Sequence, residues 1–209
     1  MLFVGILWVL ISGFVTQGNQ NFDSIRTNEI VVQDKYGNDR IIISPEIVSP
    51  KTRLRKDTLS GVLILDASGH DRVILGASPY ANIKGKLTKR AINGPYGLAF
   101  NDKEGLEKGG FGYYDDRGLS ALGLDGPSGE GIVLFVPKEE LFGQKVGILI
   151  NDPQKGGQLF YIGTNIKGQN LFNMEAPGKG QFSIQTDSSA CIKFYDFKKA
   201  SEEIMLKTK

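Results

Sequence analysis

The chain carries one cysteine and one histidine in 209 residues. A lone Cys191 can close no internal disulfide, so burial and hydrogen bonding must hold the fold. It sits in a strand-like run with Ile192 and Phe194, which reads as a buried, inert thiol. With His70 as the only imidazole, there is no clustered Cys/His set for zinc. His70 is also the only histidine that could serve a hydrolase triad, and it lies inside a turn motif. Gly126-Pro127-Ser128-Gly129-Glu130-Gly131 lacks the Gly-x-Ser-x-Gly order of a nucleophile elbow, and no Gly-Lys-Ser/Thr phosphate loop is present. There is no Asn-x-Ser/Thr sequon, and the formal net charge of +2 gives no argument for specific nucleic-acid binding. Charge is missing altogether from the first 22 residues.

What is present is a repeated turn. Asp34-Lys35-Tyr36-Gly37-Asn38-Asp39-Arg40 and Asp66-Ala67-Ser68-Gly69-His70-Asp71-Arg72 match at Asp, Gly, Asp and Arg. Looser copies begin at Asp102 (with Gly105), at Asp115 (with Gly118) and at Asp152, the last stretched by one residue. An Asp at the start of a turn accepts from the backbone N–H groups ahead of it, and a Gly three residues on supplies the left-handed conformation. The flanks are β-rich: Ile30-Val31-Val32 and Ile41-Ile42-Ile43 around the first turn, Val62 to Leu65 and Val73 to Leu75 around the second. Each unit therefore predicts a β-hairpin. Gly61, Gly97, Gly110 and Gly147 stand five residues before Asp66, Asp102, Asp115 and Asp152, which strengthens the repeat. The nine turn formers Asp34, Gly37, Asp66, Gly69, Asp102, Gly105, Asp115, Gly118 and Asp152 are read as structural. Arg40 and Arg72 would compete with calcium for the second acid of each turn, so no metal site is expected.

The apolar run from Met1 to Val15 is short for a helical span, which needs about 20 residues. It suits a signal peptide or N-terminal anchor over residues 1–18, despite the absence of basic residues at its start. This places the protein outside the cytoplasm, exported or held at a membrane by a hydrophobic N-terminal helix. A tether follows at 19–28, then a single β-hairpin domain at 29–196. The tail at 197–209, with Ile204 and several helix formers, reads as a short helix or frayed end. Strands such as Ile41–Ile43, Val73–Leu75 and Ile132–Val136 are continuously apolar, so both sheet faces should be covered. An all-β meander of antiparallel hairpins folded into a sandwich, roll or barrel satisfies that, as does a covering partner.

The unit Gly61-Val62-Leu63-Ile64-Leu65-Asp66-Ala67-Ser68-Gly69-His70-Asp71-Arg72-Val73-Ile74-Leu75-Gly76 resembles the repeats of a class of uncharacterised bacterial exported proteins. Their form is Gly-Leu-x-Leu-x-Asp-x-x-Gly-x-x-Arg. The resemblance runs loosely from Glu29 to Gly163 and implies no activity.

Two basic stretches remain, Lys51, Arg53, Arg55, Lys56 and Lys84, Lys86, Lys89, Arg90, both in irregular insertions. If adjacent they would form a contact for anionic groups. Asp115, Asp116, Glu139 and Glu140 are the available acids for a carboxylate-dependent reaction on carbohydrate. The leading expectation is a non-catalytic binding or structural module of the cell envelope, with no cofactor. Its candidate partners are an envelope protein, a polysaccharide or further copies of itself. The rivals are the carbohydrate-active enzyme and a fibre-like trimer whose hairpins cover one another.

Overall fold

A computed structural model describes residues 23–207, apart from 49, 91–95, 128, 140–143, 153, 155–156, 177–179, 187–189 and 197–200. The N-terminal leader expected over 1–18 lies outside the described residues. Among these residues sixteen strands follow one another. They are β1 Ile30–Gln33, β2 Asp39–Ile47, β3 Leu59–Leu65, β4 Asp71–Ala77, β5 Tyr80–Ile83, β6 Lys86–Lys89, β7 Tyr96–Asn101 and β8 Glu107–Tyr114. Then come β9 Leu119–Gly126, β10 Gly129–Pro137, β11 Gln144–Asn151, β12 Gln158–Asn165, β13 Asn170–Ala176, β14 Gly180–Thr186, β15 Ala190–Asp196 and β16 Ser201–Lys207. A single 3-10 turn, Asp115–Arg117, joins β8 to β9.

Fourteen of these strands form one antiparallel sheet in strict chain order, and β5–β6 is a separate hairpin inserted between β4 and β7. The all-β meander is therefore present. Closure is not: β1 pairs with β2 alone, and no second large sheet packs across the first among the described residues. The tail is also corrected. Where Ile204 and its neighbours suggested a helix, Ser201–Lys207 is a strand paired with β15. A template edge nearby outweighed the weak local helix pattern.

The register explains why the strands read as continuous apolar runs. One face, here called inner, carries Ile42, Leu63 and Ile74 in one row of directly opposed residues, and all three are buried. With Ile47, Leu59, Leu65 and Ala99 they form the first core cluster. A second cluster, Leu119, Val133, Phe135 and Tyr161, lies further along the same face. The adjoining inner row is made of small residues: Ser44, Gly61, Gly76, Gly97, Gly112 and Ala121 oppose one another in turn. These glycines are obligatory. A Cβ on Gly61 (φ +113) would lie 2.1 Å from the Leu75 carbonyl oxygen, and one on Gly76 (φ +143) 2.0 Å from that of Ser60. Further on, Tyr161 packs its ring against Gly147, where a Cβ would come within 2.4 Å of it. Its hydroxyl reaches the Val146 and Thr164 carbonyls at 3.0 and 3.2 Å.

The opposite, outer face is apolar from β2 to β14. Ile43, Val62, Leu75, Leu98, Phe111 and Leu122 make one row, which continues through Leu134, Ile148, Ile162, Phe172 and Ile184. The neighbouring row runs Ile64, Val73, Phe100, Gly109, Leu124 and Ile132, then Ile150, Phe160, Met174 and Phe182. Edge-to-face contacts of Phe172 with Phe160 and Phe182 link the two rows. The expected covering of both faces is met only on the inner side: Leu63 is 0% exposed, whereas Leu75 is 52% and Phe111 56% exposed.

Candidate functional site

The repeated turns lie at one end of the strands. Asp34 Oδ1 accepts from the backbone N–H groups of Tyr36 and Asn38 at 2.8 and 3.0 Å. Asp66 does the same with Ser68 and His70, at 2.8 and 3.1 Å, and Asp102 with Glu104 and Leu106, at 3.0 and 2.9 Å. Gly37, Gly69 and Gly105 each have φ near +80 and donate to the carbonyl of the turn Asp. These bonds hold the carboxylates ionised. The Asn38 N–H is the largest influence on Asp34, and burial works against it. At Asp66 and Asp102 burial is the largest influence and raises the pKa. Backbone donors and the basic side chains beside them outweigh it, and both stay below the ordinary range.

The arginine six positions after Asp34 and after Asp66 joins its hairpin to the next. Arg40 holds Asp34 at 2.5 Å and also donates to the Asp66 carbonyl of the next repeat. Arg72 Nε donates to the Asn101 carbonyl at 3.1 Å, one residue before the third turn Asp. The third copy keeps the pattern in altered form, because Lys108 pairs with Asp102 at 3.2 Å. The His70 ring lies against the next turn, where a Cβ on Gly105 would stand 3.2 Å from it, so its role is packing between repeats.

Of the remaining turn formers, Asp115 opens the 3-10 turn, and Gly118 (φ +54) donates to its carbonyl at 3.2 Å. This turn is at the opposite end of the strands, one strand out of phase. Asp152 Oδ1 accepts from Gln154 N–H at 2.8 Å. A further copy was missed. Asn165 accepts from the N–H groups of Lys167 and Gln169 at 2.9 and 3.0 Å, with Gly168 at φ +77. The signal was Asn165-x-x-Gly168, with the amide oxygen doing the work of a carboxylate oxygen.

The basic stretches divide. Arg53 and Arg55 are buried and do not form an anion contact. Arg53 grips Asp71 at 2.9 and 2.8 Å and Asp57 at 2.9 Å, and Arg55 pairs with Asp57 at 2.6 Å and Asp71 at 3.3 Å. Two cations and two anions thus neutralise each other while clamping the segment before β3 over the core. Arg90 is also engaged, bound to Glu107 at 2.5 Å. Lys51, Lys56, Lys84, Lys86 and Lys89 remain exposed. The two insertions do meet: Arg55 and Lys56 of the first and Asn82, Gly85 and Leu87 of the second line one cleft of about 360 Å³.

The carboxylates singled out by sequence gather only in part. Asp115, Asp116 and Glu139 border one surface cleft with Arg117 and Lys138, and Glu140 lies outside the described residues. A different group is more perturbed. The small residues of the inner face leave a cavity of about 70 Å³ bordered by Arg90, Glu107, Tyr114, Asp125 and Glu130. Asp125 stands directly opposite Glu130 in the ladder. Burial first, then the charges of Glu107 and Glu130, push its pKa up to about 6, against the pull of Arg90 and Lys108. No local pattern marks this group, because its members come from three strands and the β5–β6 insertion.

Among the described residues, no three metal-ligating side chains converge, and no helix is long and apolar enough to cross a membrane. No family model, curated protein or solved structure matches the chain.

Proposed function

We propose that the chain is a non-catalytic, extracytoplasmic structural module of the cell envelope. The observation that carries this is the unbroken ladder of hairpins with one exposed, uncharged apolar face. Soluble monomers rarely expose contiguous apolar surface on that scale, and such a face marks a place of assembly. The arginines support the same reading, since Arg40, Arg53, Arg55 and Arg90 are all committed to holding hairpins and insertions together. The apolar, uncharged N-terminal segment supports export or anchoring. Residues 29–196 follow it as the body of the module, as in the bacterial exported proteins it resembles.

The test is to fractionate a bacterial host expressing the full chain, and to incubate the purified protein with a panel of polysaccharides in a reducing-sugar assay. The expected result is recovery in the envelope fraction with no sugar released. A second reading, a carboxylate-dependent carbohydrate enzyme, is favoured by one observation, the raised Asp125 beside Glu107 and Glu130. Sugar release that disappears in Asp125→Asn would establish it and remove the structural one.

A further inference from the structure

We infer that the outer sheet face is buried against further copies of this same chain. This rests on the structural-module reading and names the partner. Three features of the face choose the occupant. First, it carries no charge. The two long rows are apolar throughout, and the row beside them, Ala77, Tyr96, Tyr113, Ser120 and Val136, adds only hydroxyls. Depletion of charge is the mark of the core of a protein interface.

Second, its size is right. The first row crosses eleven strands from β2 to β14, the second ten from β3 to β14, and the third five from β4 to β10. At about 4.8 Å per strand the ladder is about 50 Å long, and three rows are about 14 Å apart at their extremes. With side-chain width included, and the third row covering the middle strands alone, this is on the order of 800 Å² per chain, close to the about 800 Å² per partner of a stable interface.

Third, its period is particular. Apolar side chains recur every strand over the whole length, so the surface with the same spacing and length is another copy of this ladder. Two such faces stack as paired sheets do, about 10 Å apart. Lipid fits poorly. The strands of the face have six to nine residues, against the about 9–11 that a spanning strand requires. The about 14 Å apolar band is also shorter than the about 25 Å of membrane barrels.

The experiment uses the full chain. Sedimentation velocity and native mass spectrometry should give a discrete oligomer of two or three subunits, and the double variant Leu98→Asp/Phe111→Asp should sediment as a monomer with an unchanged far-ultraviolet spectrum. Should that variant misfold, cross-linking still decides. In a Cys191→Ser background, single cysteines at Leu75, Leu98 or Phe111 should give covalent oligomers with a bismaleimide, and Lys103→Cys in the exposed turn should not. A wild-type chain that stays monomeric at all concentrations overturns the inference, as does cross-linking no stronger at the three face positions than at the turn. Flotation of a monomeric chain with phosphatidylglycerol–phosphatidylethanolamine vesicles that is lost in Leu98→Asp/Phe111→Asp, and so does not come from the apolar N-terminal segment, would assign the face to lipid and also overturn it. A monomer found in stoichiometric complex with a different envelope protein sinks this inference and leaves the structural-module reading standing. An oligomer that hydrolyses polysaccharide does the reverse.

Discussion

Asp125 offers the sharpest test of the inner face. Its carboxyl is lifted from 3.8 to about 6 by burial and by Glu107 and Glu130, the latter its cross-strand neighbour. A shift of about two units corresponds to at most about 3 kcal/mol of differential stability. The cleft is open to solvent on one side and Arg90 lies near, so screening reduces this to about 1–2 kcal/mol. The folded pKa lies above the unfolded one. The folded state therefore holds its proton longer, and this contribution is fully present below about pH 4, declines as pH rises and is gone above about pH 6. Asp125→Asn removes the charge while keeping the size. The variant should be more stable than the parent by about 1–2 kcal/mol at pH 7.5 and equal to it near pH 4. Urea unfolding followed by far-ultraviolet circular dichroism at pH 4, 5, 6 and 7.5, at one protein concentration, reads this directly. Equal gains at pH 4 and 7.5, or no gain at 7.5, would show that the carboxylate cluster does not strain the fold.

The glycines, the ion-pair box and the turns make separate predictions. Gly76→Ala, which puts a Cβ 2.0 Å from a carbonyl oxygen at φ +143, should cost about 3 kcal/mol or more by urea unfolding, while Gly37→Ala, with open space around it, should cost about 1–2 kcal/mol for its φ alone. Arg53→Ala leaves two buried carboxylates, Asp71 and Asp57, sharing the one guanidinium of Arg55 and should cost about 3–5 kcal/mol; Lys51→Ala, at an exposed site, should stay within about 0.5 kcal/mol. Asp66→Ala frees two backbone donors and should lower the unfolding midpoint more than Asp66→Asn, because Asn165 already makes the same turn with an amide. The folded pKa of Asp66 lies below the unfolded one, so its contribution is present above about pH 4 and lost on acidification. The Asn variant should accordingly unfold less steeply with pH below that point.

The hairpins were legible because their determinants are local. Asp34, Asp66 and Asp102 bond to donors two and four residues ahead, so the turn is written in a five-residue window. The glycine five residues before the Asp was visible as a regularity, but its reason was not, since the atoms it avoids belong to a neighbouring strand. The basic stretch misled for the same kind of reason. Arg53 and Arg55 look like solvated charge until Asp71, 18 residues beyond Arg53, is brought beside them. Glu107 and Lys108 could have been read as the acid and base of a third full repeat, with Lys in place of Arg. The apolar runs correctly signalled two apolar faces, yet a run of isoleucine and leucine carries no mark of what covers each face.

The two faces divide the work of specifying the fold. A one-residue slip between strands would turn the outer rows inward, and burial of Ile42, Leu63 and Ile74 forbids it. A two-residue slip is a different matter. On the outer face it would exchange one apolar row for another, Leu75 for Val73, at little cost. What resists it is the inner face. A slip of Gly61 against Gly76 would bring side-chain-bearing residues into a space where a Cβ lies about 2 Å from a carbonyl oxygen. It would also draw Arg40 away from the Asp66 carbonyl. Register is therefore set by glycines and arginines of the inner face. The outer face is left free to be uniform, and uniformity along the ladder is what lets a second ladder pack on it along its whole length.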